Sequence, residues 1–275
     1  MQLGIMTRTF VRPSLEETLD AVKSYGLSCV QFSLSSAGIA NLPDRIEPEL
    51  SGRIRQALAV RDLSMAAISG TFNMIHPDPQ ERESGLRRLE VLAAACEWMG
   101  TSLITLCTGT RDPDNMWRRH PANDSPEAWR DLVVSMAEAV RLAELYGVTL
   151  GVEPEVSNVV DSAAKARRLL DELRSPRLKI IMDGANLFHT GELPHMREIL
   201  TEAFDLLGED IVLAHAKDLS QDGAAGQEAA GTGLLDYDHY LALLRRAGFT
   251  GGLILHSLSE AQVANSVQFL RNKLS

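Results

Sequence analysis

The sequence predicts a single (β/α)8 TIM barrel over residues 1–275, and three observations support this prediction. The chain has 275 residues, close to the roughly 250 that are typical of such barrels. Short apolar segments alternate with longer amphipathic ones, without a change in composition that would mark a second domain. Polar residues gather at the ends of the apolar segments, which is where barrel enzymes carry their chemistry.

Eight apolar segments are expected to form the barrel strands. They are almost continuously apolar, as expected for parallel strands that are covered on both faces. No GxGxxG motif follows the first segment and no GxxxxGK(S/T) motif occurs, which disfavours an open nucleotide-binding sheet. The segments are Leu3–Thr7, Cys29–Ser33, Ser64–Ser69, Leu103–Thr108, Thr149–Glu153, Leu178–Asp183, Ile211–Ala216 and Gly252–His256.

Amphipathic segments between the strands are typical of helices. Ser14 and Ser162 are expected to cap helix N-termini, and glycine follows several expected helix ends, as at Gly100 and Gly147. The last helix would close the ring. The expected helices include Leu15–Tyr25, Pro48–Arg61, Glu81–Met99, Glu127–Tyr146, Ser162–Leu173 and Glu260–Lys273.

The charge balance is acidic, with 37 Asp and Glu against 27 Lys and Arg and a formal net charge of -10. Such a surface repels phosphate backbones and anionic membranes, so we expect neither nucleic acid nor a membrane as a partner. The N-terminal segment has no apolar core of a signal peptide. Cys29, Cys96 and Cys107 form no CxxC pair, which is typical of buried thiols in a reducing compartment. We therefore expect a cytoplasmic protein.

Two loops are longer than a strand-to-helix turn needs. Gly109–Ser125 follows the fourth strand and Lys217–Tyr237 follows the seventh. Long loops in compact domains are often functional, and both are expected on the face that carries the strand ends. We therefore expect them to form lids or walls of a substrate site.

The last four strands each end in polar residues. Glu153 ends the fifth and Asp183 the sixth, His215 and Lys217 follow one another on the seventh, and His256 ends the eighth. Polar groups at such positions are costly unless they bind something. Two carboxylates with one or two imidazoles suit Mn²⁺, Mg²⁺, Co²⁺ or Zn²⁺. The alternative is that each is a separately satisfied buried polar group.

The sequence motifs at three of these strand ends resemble those of a known family. GVEPEVSN after the fifth strand, MDGANLF after the sixth and HAKD on the seventh are similar to the sugar phosphate isomerase/epimerase superfamily, the xylose isomerase-like TIM barrels. The resemblance covers the whole chain and includes the turn GTGLLD at Gly231–Asp236. It implies a divalent metal cofactor, with Mn²⁺ as the first expectation, and a small sugar or cyclitol substrate.

In that family a Glu, an Asp, a His and a Glu on strands five to eight hold the metal. Glu153, Asp183 and His215 match the first three positions, whereas His256 stands where the family has its second Glu. His256 can still bind the metal through a ring nitrogen, although it lacks the negative charge of a carboxylate. The two glutamates act as general bases on opposite faces of the substrate in family epimerases. The resemblance therefore implies catalytic roles for Glu153 and His256. A neutral imidazole can still carry a proton near pH 7, and a one-base isomerisation or an elimination also fits.

Other polar residues near the strand ends are candidate substrate contacts. Lys217 would point into the mouth of the barrel and serve as a catalytic or substrate-binding group, unless it forms an ion pair with Asp218 or another carboxylate. Asn186, Glu155 and Asn158 follow strands six and five, and His76 follows strand three. The last two have turn geometry as an alternative explanation.

The leading functional hypothesis is a metal-dependent isomerase or epimerase of a keto-sugar, a cyclitol or a related hydroxy-ketone. A metal-dependent lyase or dehydratase on a similar substrate is the alternative. An abasic-site endonuclease is disfavoured by the acidic balance and by Asn186, and a non-catalytic sugar-binding barrel stays open.

Two further expectations concern the substrate and the assembly. No Lys or Arg occurs from Asp218 to Tyr237, which favours an unphosphorylated substrate because barrels commonly bind phosphate near strands seven and eight. Arginines after strand four could still capture an anionic group, namely Arg111, Arg118 and Arg119. A homodimer is possible, with exposed tryptophans as candidate interface residues, namely Trp98, Trp117 and Trp129.

Overall fold

The computed structural model describes all 275 residues and shows a closed ring of eight parallel strands. The ring closes because the last barrel strand pairs with the first on one side and with the seventh on the other, while the sixth pairs with the seventh. The predicted single (β/α)8 barrel is confirmed. Its strands are β1 (Gln2–Met6), β2 (Cys29–Phe32), β3 (Ser64–Ser69), β4 (Leu103–Cys107), β5 (Thr149–Glu153), β6 (Leu178–Asp183), β7 (Ile211–Asp218) and β9 (Gly252–Leu255).

Eight helices surround the ring, each following a barrel strand. Ser14 and Ser162 cap α1 and α5 by accepting the backbone N–H of Glu17 and Lys165, as expected. Gly100 and Gly147 end α3 and α4 in the left-handed conformation, which glycine adopts without a steric penalty. The helices are α1 (Leu15–Ser24), α2 (Pro48–Ala59), α3 (Pro79–Met99), α4 (Pro126–Tyr146), α5 (Ala163–Leu173), α6 (Met196–Leu207), α7 (Tyr237–Arg246) and α8 (Glu260–Leu274).

The apolar core has two parts. The larger one lies between the ring and the helices, as in other barrels whose helices cover the outer face of the sheet. A smaller cluster of side chains fills the inside of the ring, among them Met6, Leu103, Ile181 and Ile254. The three cysteines are all buried, as expected. Because the interior is filled, the barrel has a solid floor above which polar residues at the strand ends can gather.

The loop after β7 is held by the carboxylate of Asp218. This carboxylate accepts the backbone N–H groups of Leu219, Gly231 and Leu235. Part of the loop, β8 (Glu228–Ala229), pairs antiparallel with the end of β7. A Cβ at Gly233 would lie 2.5 Å from Asp218 Oδ1, so this close approach requires glycine. The GTGLLD turn therefore supplies two of the three N–H groups that Asp218 accepts, those of Gly231 and Leu235.

One of the three tryptophans that were expected to be exposed is buried. Trp98 and Trp117 are exposed, but Trp129 is buried. Its indole N–H donates to Glu172, and the guanidinium of Arg168 lies 3.9 Å from its ring centroid. Trp129 is thus part of the packing between α4 and α5, and its proposed place in an interface was wrong. No helix is both long enough and apolar enough to cross a bilayer.

Candidate metal centre

Three consecutive strands bring Glu153, Asp183 and His215 together. Asp183 and His215 are paired residues of the β6–β7 ladder, and Glu153 is the last residue of β5. One possible ligand atom from each residue lies within 4.8 Å of the others. His215 Nδ1 is 3.3 Å from Glu153 Oε1 and 3.5 Å from Asp183 Oδ2. The convergence that the strand ends predicted is therefore present in the structure.

The electrostatics of this cluster suit a divalent cation. All three side chains are buried. Asp183 Oδ2 accepts no hydrogen bond, and its only partners are the longer ion-pair contacts with His215 Nδ1 and Lys217 Nζ, so it is available to a cation. Although burial alone would lower the pKa of His215, the charges of Glu153 and Asp183 raise it to about 9. Glu153, Asp183 and His215 would together hold a divalent cation, for which the imidazole must be in its neutral form. The donor set, two carboxylates and one imidazole, fits Mn²⁺, Co²⁺ or Zn²⁺.

Gln31 on β2 fixes the orientation of the His215 ring. His215 Nε2 lies 2.8 Å from Gln31 Oε1. The Gln31 amide nitrogen in turn donates to Ser69 Oγ and Thr105 Oγ1, at 3.2 and 3.1 Å. With the amide oxygen towards the ring, Nε2 donates its proton to Gln31 and Nδ1 faces the carboxylates. Such a partner sets the tautomer of a metal-binding histidine.

Sequence reasoning did not select Gln31. A signal was present, because Gln31 is the one polar residue within the apolar segment CVQF of β2 and is buried. Buried polar side chains in strands must be hydrogen-bonded. Its partner could not be read from the sequence, since His215 lies five strands further along the chain.

A cavity of about 670 Å³ opens above the cluster at the C-terminal ends of the strands. Glu153, Glu155, Lys217 and His256 line it, in agreement with their expected positions. Both long loops contribute to its walls, with Trp117 from the loop after β4 and Ala224, Ala225 and Gln227 from the loop after β7. The size and the polar lining suit a small polar molecule.

Lys217 and Glu155 are buried charged groups beside the candidate metal ligands. Lys217 Nζ lies 3.4 Å from Asp183 Oδ2, so it forms an ion pair with a candidate ligand and not with Asp218. Burial, reinforced by the charge of Glu153, raises the pKa of Glu155 to about 8. At neutral pH the cavity therefore offers an ammonium donor and a carboxylic acid that is largely protonated. Groups with such shifts are common in active sites.

His256 lies at the rim of the cavity, one residue after β9 ends. Its ring centroid is 5.0 Å from that of His215, and it does not belong to the set of mutually close ligand atoms. Burial and the charges of Lys217 and His215 hold its pKa well below the ordinary value. Ser257, the next residue, has a positive φ of 51° and its hydroxyl lies 2.6 Å from His256 Nδ1. A neutral imidazole is thus held beside the cavity.

The three remaining predicted substrate contacts do not line the cavity. Asn186 donates to Glu153 Oε1 at 2.7 Å and so positions a candidate ligand. Asn158 accepts the backbone N–H of Gly109, tying the loop after β4 to that after β5. His76 is held in a turn, where Nε2 lies 3.1 Å from the carbonyl oxygen of Pro113 and Nδ1 accepts the N–H of Asp78.

With this geometry established, comparisons with known proteins identify the family. Residues 19–273 match the model of the xylose isomerase-like TIM barrels. The chain belongs to this family. No curated protein matches the sequence significantly.

Several solved structures share the fold at low sequence identity. The chain is similar to 3-keto-D-glucoside 4-epimerase from E. coli (TM-score 0.74, 18% identity, 99% of each chain covered). It is similar to D-allulose 3-epimerase from Methylomonas sp. (TM-score 0.73, 14% identity, 99% of this chain and 98% of that chain). It also resembles the IolI protein, whose structure holds a zinc atom (TM-score 0.74, 15% identity, 100% of this chain and 96% of that chain).

Proposed function

We propose that this protein is a divalent-metal-dependent isomerase or epimerase of a keto-sugar, a cyclitol or a related hydroxy-ketone. The observation that carries the proposal is the convergence of Glu153, Asp183 and His215 beneath a polar cavity. The sugar epimerases among the structures of the same fold support the substrate class. Mn²⁺ is the proposed ion, and the IolI structure makes Zn²⁺ the first alternative.

Each residue around the cavity would have a separate role in removing a proton from a substrate carbon and returning it. A bound divalent ion would polarise the substrate carbonyl as a Lewis acid. Glu153, which lines the cavity, would take the proton from the adjacent carbon. Lys217 would donate a hydrogen bond to the oxygen on which negative charge develops, and His256, uncharged at neutral pH, would exchange a proton from the rim.

A metal-dependent lyase or dehydratase is the second candidate, because of one observation. Glu155 has a pKa raised to about 8 and lines the cavity. A protonated carboxyl group can transfer its proton to a departing hydroxyl group, as an elimination requires. Only one carboxylate base, Glu153, would then be needed.

Metal content measured by elemental mass spectrometry tests the proposed centre. Wild type, Glu153→Gln and the control Glu202→Gln would be reconstituted with Mn²⁺, Co²⁺ or Zn²⁺ and desalted. Glu202 is exposed on α6 and forms no ion pair. We expect about one ion per chain in wild type and in the control, and a loss of at least about tenfold in occupancy in Glu153→Gln. A wild type that retains none of the three ions would favour a non-catalytic sugar-binding barrel.

Product analysis then separates the two reactions. An isomerase or epimerase returns a product of the same mass and, in D₂O, incorporates deuterium at the carbon that exchanged its proton. A dehydratase returns a product that lacks one water. His256→Gln should slow either reaction while leaving the metal content unchanged, if the imidazole carries a proton and does not bind the ion.

A further inference from the structure

Arg8 is a cavity-lining cation without a partner in the protein. It follows β1, in a short turn over Thr7–Thr9, and its side chain is exposed to the cavity. The buried Thr7 hydroxyl fixes this turn by accepting the N–H of Ser33 and the hydroxyl of Ser36. Arg8 therefore projects from a rigid base, although it makes neither an ion pair nor a hydrogen bond itself.

Other arginines near the cavity are already neutralised. Arg111 pairs with Asp131, Arg118 with Asp112, and Arg119 with Asp124 and Asp161. None of the three lines the cavity, and their ion pairs hold the loop after β4 in place, so the structure gives no support to the expectation that they capture an anionic group. Apart from Arg8, Arg55 on the outer surface of α2 is the only arginine that has neither an ion pair nor a hydrogen bond.

The charge balance of the cavity leaves Arg8 uncompensated. Asp183 pairs with Lys217, and a bound divalent cation would offset the charges of Glu153 and Asp183. The family's second ligand glutamate is replaced by His256, so no carboxylate stands at that position to offset the charge of Arg8. The cavity of this acidic protein would thus be positively charged at the end where Arg8 lies.

We propose that Arg8 binds a carboxylate group of the substrate, so that the substrate is a polyhydroxylated acid and not a neutral sugar. This inference rests on the proposed function and specifies its substrate class. A guanidinium forms paired hydrogen bonds with a carboxylate, whose two oxygens match its planar fork. The carboxylate would stand at Arg8 while the carbonyl and hydroxyl groups of the same molecule reach the metal centre.

A phosphate group fits this end of the cavity less well. A single guanidinium faces it, and the loop after β7 carries no Lys or Arg from Asp218 to Tyr237. Barrels often bind phosphate at the N-terminus of a short extra helix near strands seven and eight, whereas no helix lies between β9 and α8 here. A monoanionic carboxylate matches the one charge that is available.

Isothermal titration calorimetry with three matched probes tests the proposal. D-gluconate, D-glucitol and D-glucitol 6-phosphate differ in bearing a carboxylate, no charge or a phosphate. Each would be titrated into wild type, Arg8→Gln and the control Arg55→Gln, with Mn²⁺ and again after its removal by chelation. We expect wild type and Arg55→Gln to bind gluconate at least about tenfold more tightly than glucitol, as one charge-assisted pair provides. Arg8→Gln should lose this preference.

Several outcomes would overturn the proposal, and they differ from failure of the proposed function. If Arg8→Gln keeps the preference for gluconate, the carboxylate binds elsewhere, for example to the metal. If wild type prefers only the phosphorylated probe, the assignment to a carboxylate is wrong. If wild type discriminates neither with nor without Mn²⁺, the site does not exist. Loss of metal binding alone, with the Arg8-dependent preference intact in the chelated protein, would count against the enzymatic function and in favour of the carboxylate site.

Discussion

The two imidazole nitrogens of His215 face different partners. Nε2 points to Gln31 and Nδ1 points to the carboxylates of Glu153 and Asp183. A ring that rotates, or that carries its proton on Nδ1, cannot offer a lone pair to an ion held between the carboxylates. The affinity of the proposed metal centre should thus depend on Gln31, a residue that offers no ligand atom itself.

Substitution Gln31→Leu should weaken metal binding by roughly 10–100-fold. The change removes the acceptor of the Nε2 proton, so that the His215 ring loses its preferred tautomer and orientation. Affinity for Mn²⁺ and Zn²⁺ would be measured by competition with a chromogenic chelator. Gln268→Leu, at an exposed position on α8, should bind like wild type. Equal affinities in all three proteins would show that Gln31 does not position His215.

Individual site residues were most predictable where they end an apolar segment, although Glu155, two residues beyond β5, also lines the cavity. Glu153, Asp183 and His215 were found because a polar residue that ends an apolar segment is easily recognised. Asn158 and His76 were selected by the same proximity to strand ends, but their side chains bind backbone groups of neighbouring loops. The direction of a side chain after a strand depends on loop conformation, which periodicity does not encode.

At the level of elements, the loop after β7 is organised by one carboxylate. Asp218 binds three backbone N–H groups that lie up to 17 residues further along the chain. The sequence indicated the length of this loop and its glycines. It could not show that β8 pairs with the end of β7, because a two-residue strand has no periodicity. The end of β9 was placed one residue too far, since His256 still donates its N–H to the Ala216 carbonyl oxygen but lies beyond Leu255, the last residue of the strand.

Replacing Asp218 by Asn should lower the free energy of unfolding by about 2–3 kcal/mol. The amide keeps one oxygen acceptor but turns its NH₂ group towards a backbone N–H group that needs an acceptor. Urea denaturation followed by circular dichroism would measure the change. Asp238→Asn, which loses only a surface ion pair with Lys273, should change stability by less than about 1 kcal/mol. Similar values for both variants would contradict the anchoring role.

At the level of the whole molecule, closure of the ring leaves little space between β1 and β2. Gly4 on β1 pairs with Cys29 on β2. A Cβ at Gly4 would lie 2.5 Å from Cys29 Sγ and 2.6 Å from its carbonyl oxygen. The order of apolar and amphipathic segments was sufficient to predict the eight strands and six of the eight helices, whereas α6 and α7 were not named in advance. The tight contact at Gly4 was not predictable, because it depends on strand tilt and register.

Gly4→Ala should therefore destabilise the barrel by about 1–3 kcal/mol or more, as overpacked cores do. β1 would have to move away from β2, and both strands are held on their other sides by the ring. Gly52→Ala is the matched control, because Gly52 lies within α2 with no atom near its would-be Cβ. It should gain up to about 1 kcal/mol through helix propensity. Urea unfolding would show opposite changes in the free energy of unfolding for the two variants. An unchanged free energy in Gly4→Ala would show that β1 and β2 can move apart at this point without cost.

The parts of the metal site leave the ribosome at widely separated times. Gln31 emerges early on the second strand, and His215 follows 184 residues later on the seventh. A growing chain can present carboxylates to an ion, but it cannot orient the imidazole until the second and seventh strands belong to one closed ring. Strong binding of the proposed ion would therefore be a late event in the life of the chain. On this proposal, a cell that runs short of the ion should accumulate folded, metal-free barrels and not unfolded protein.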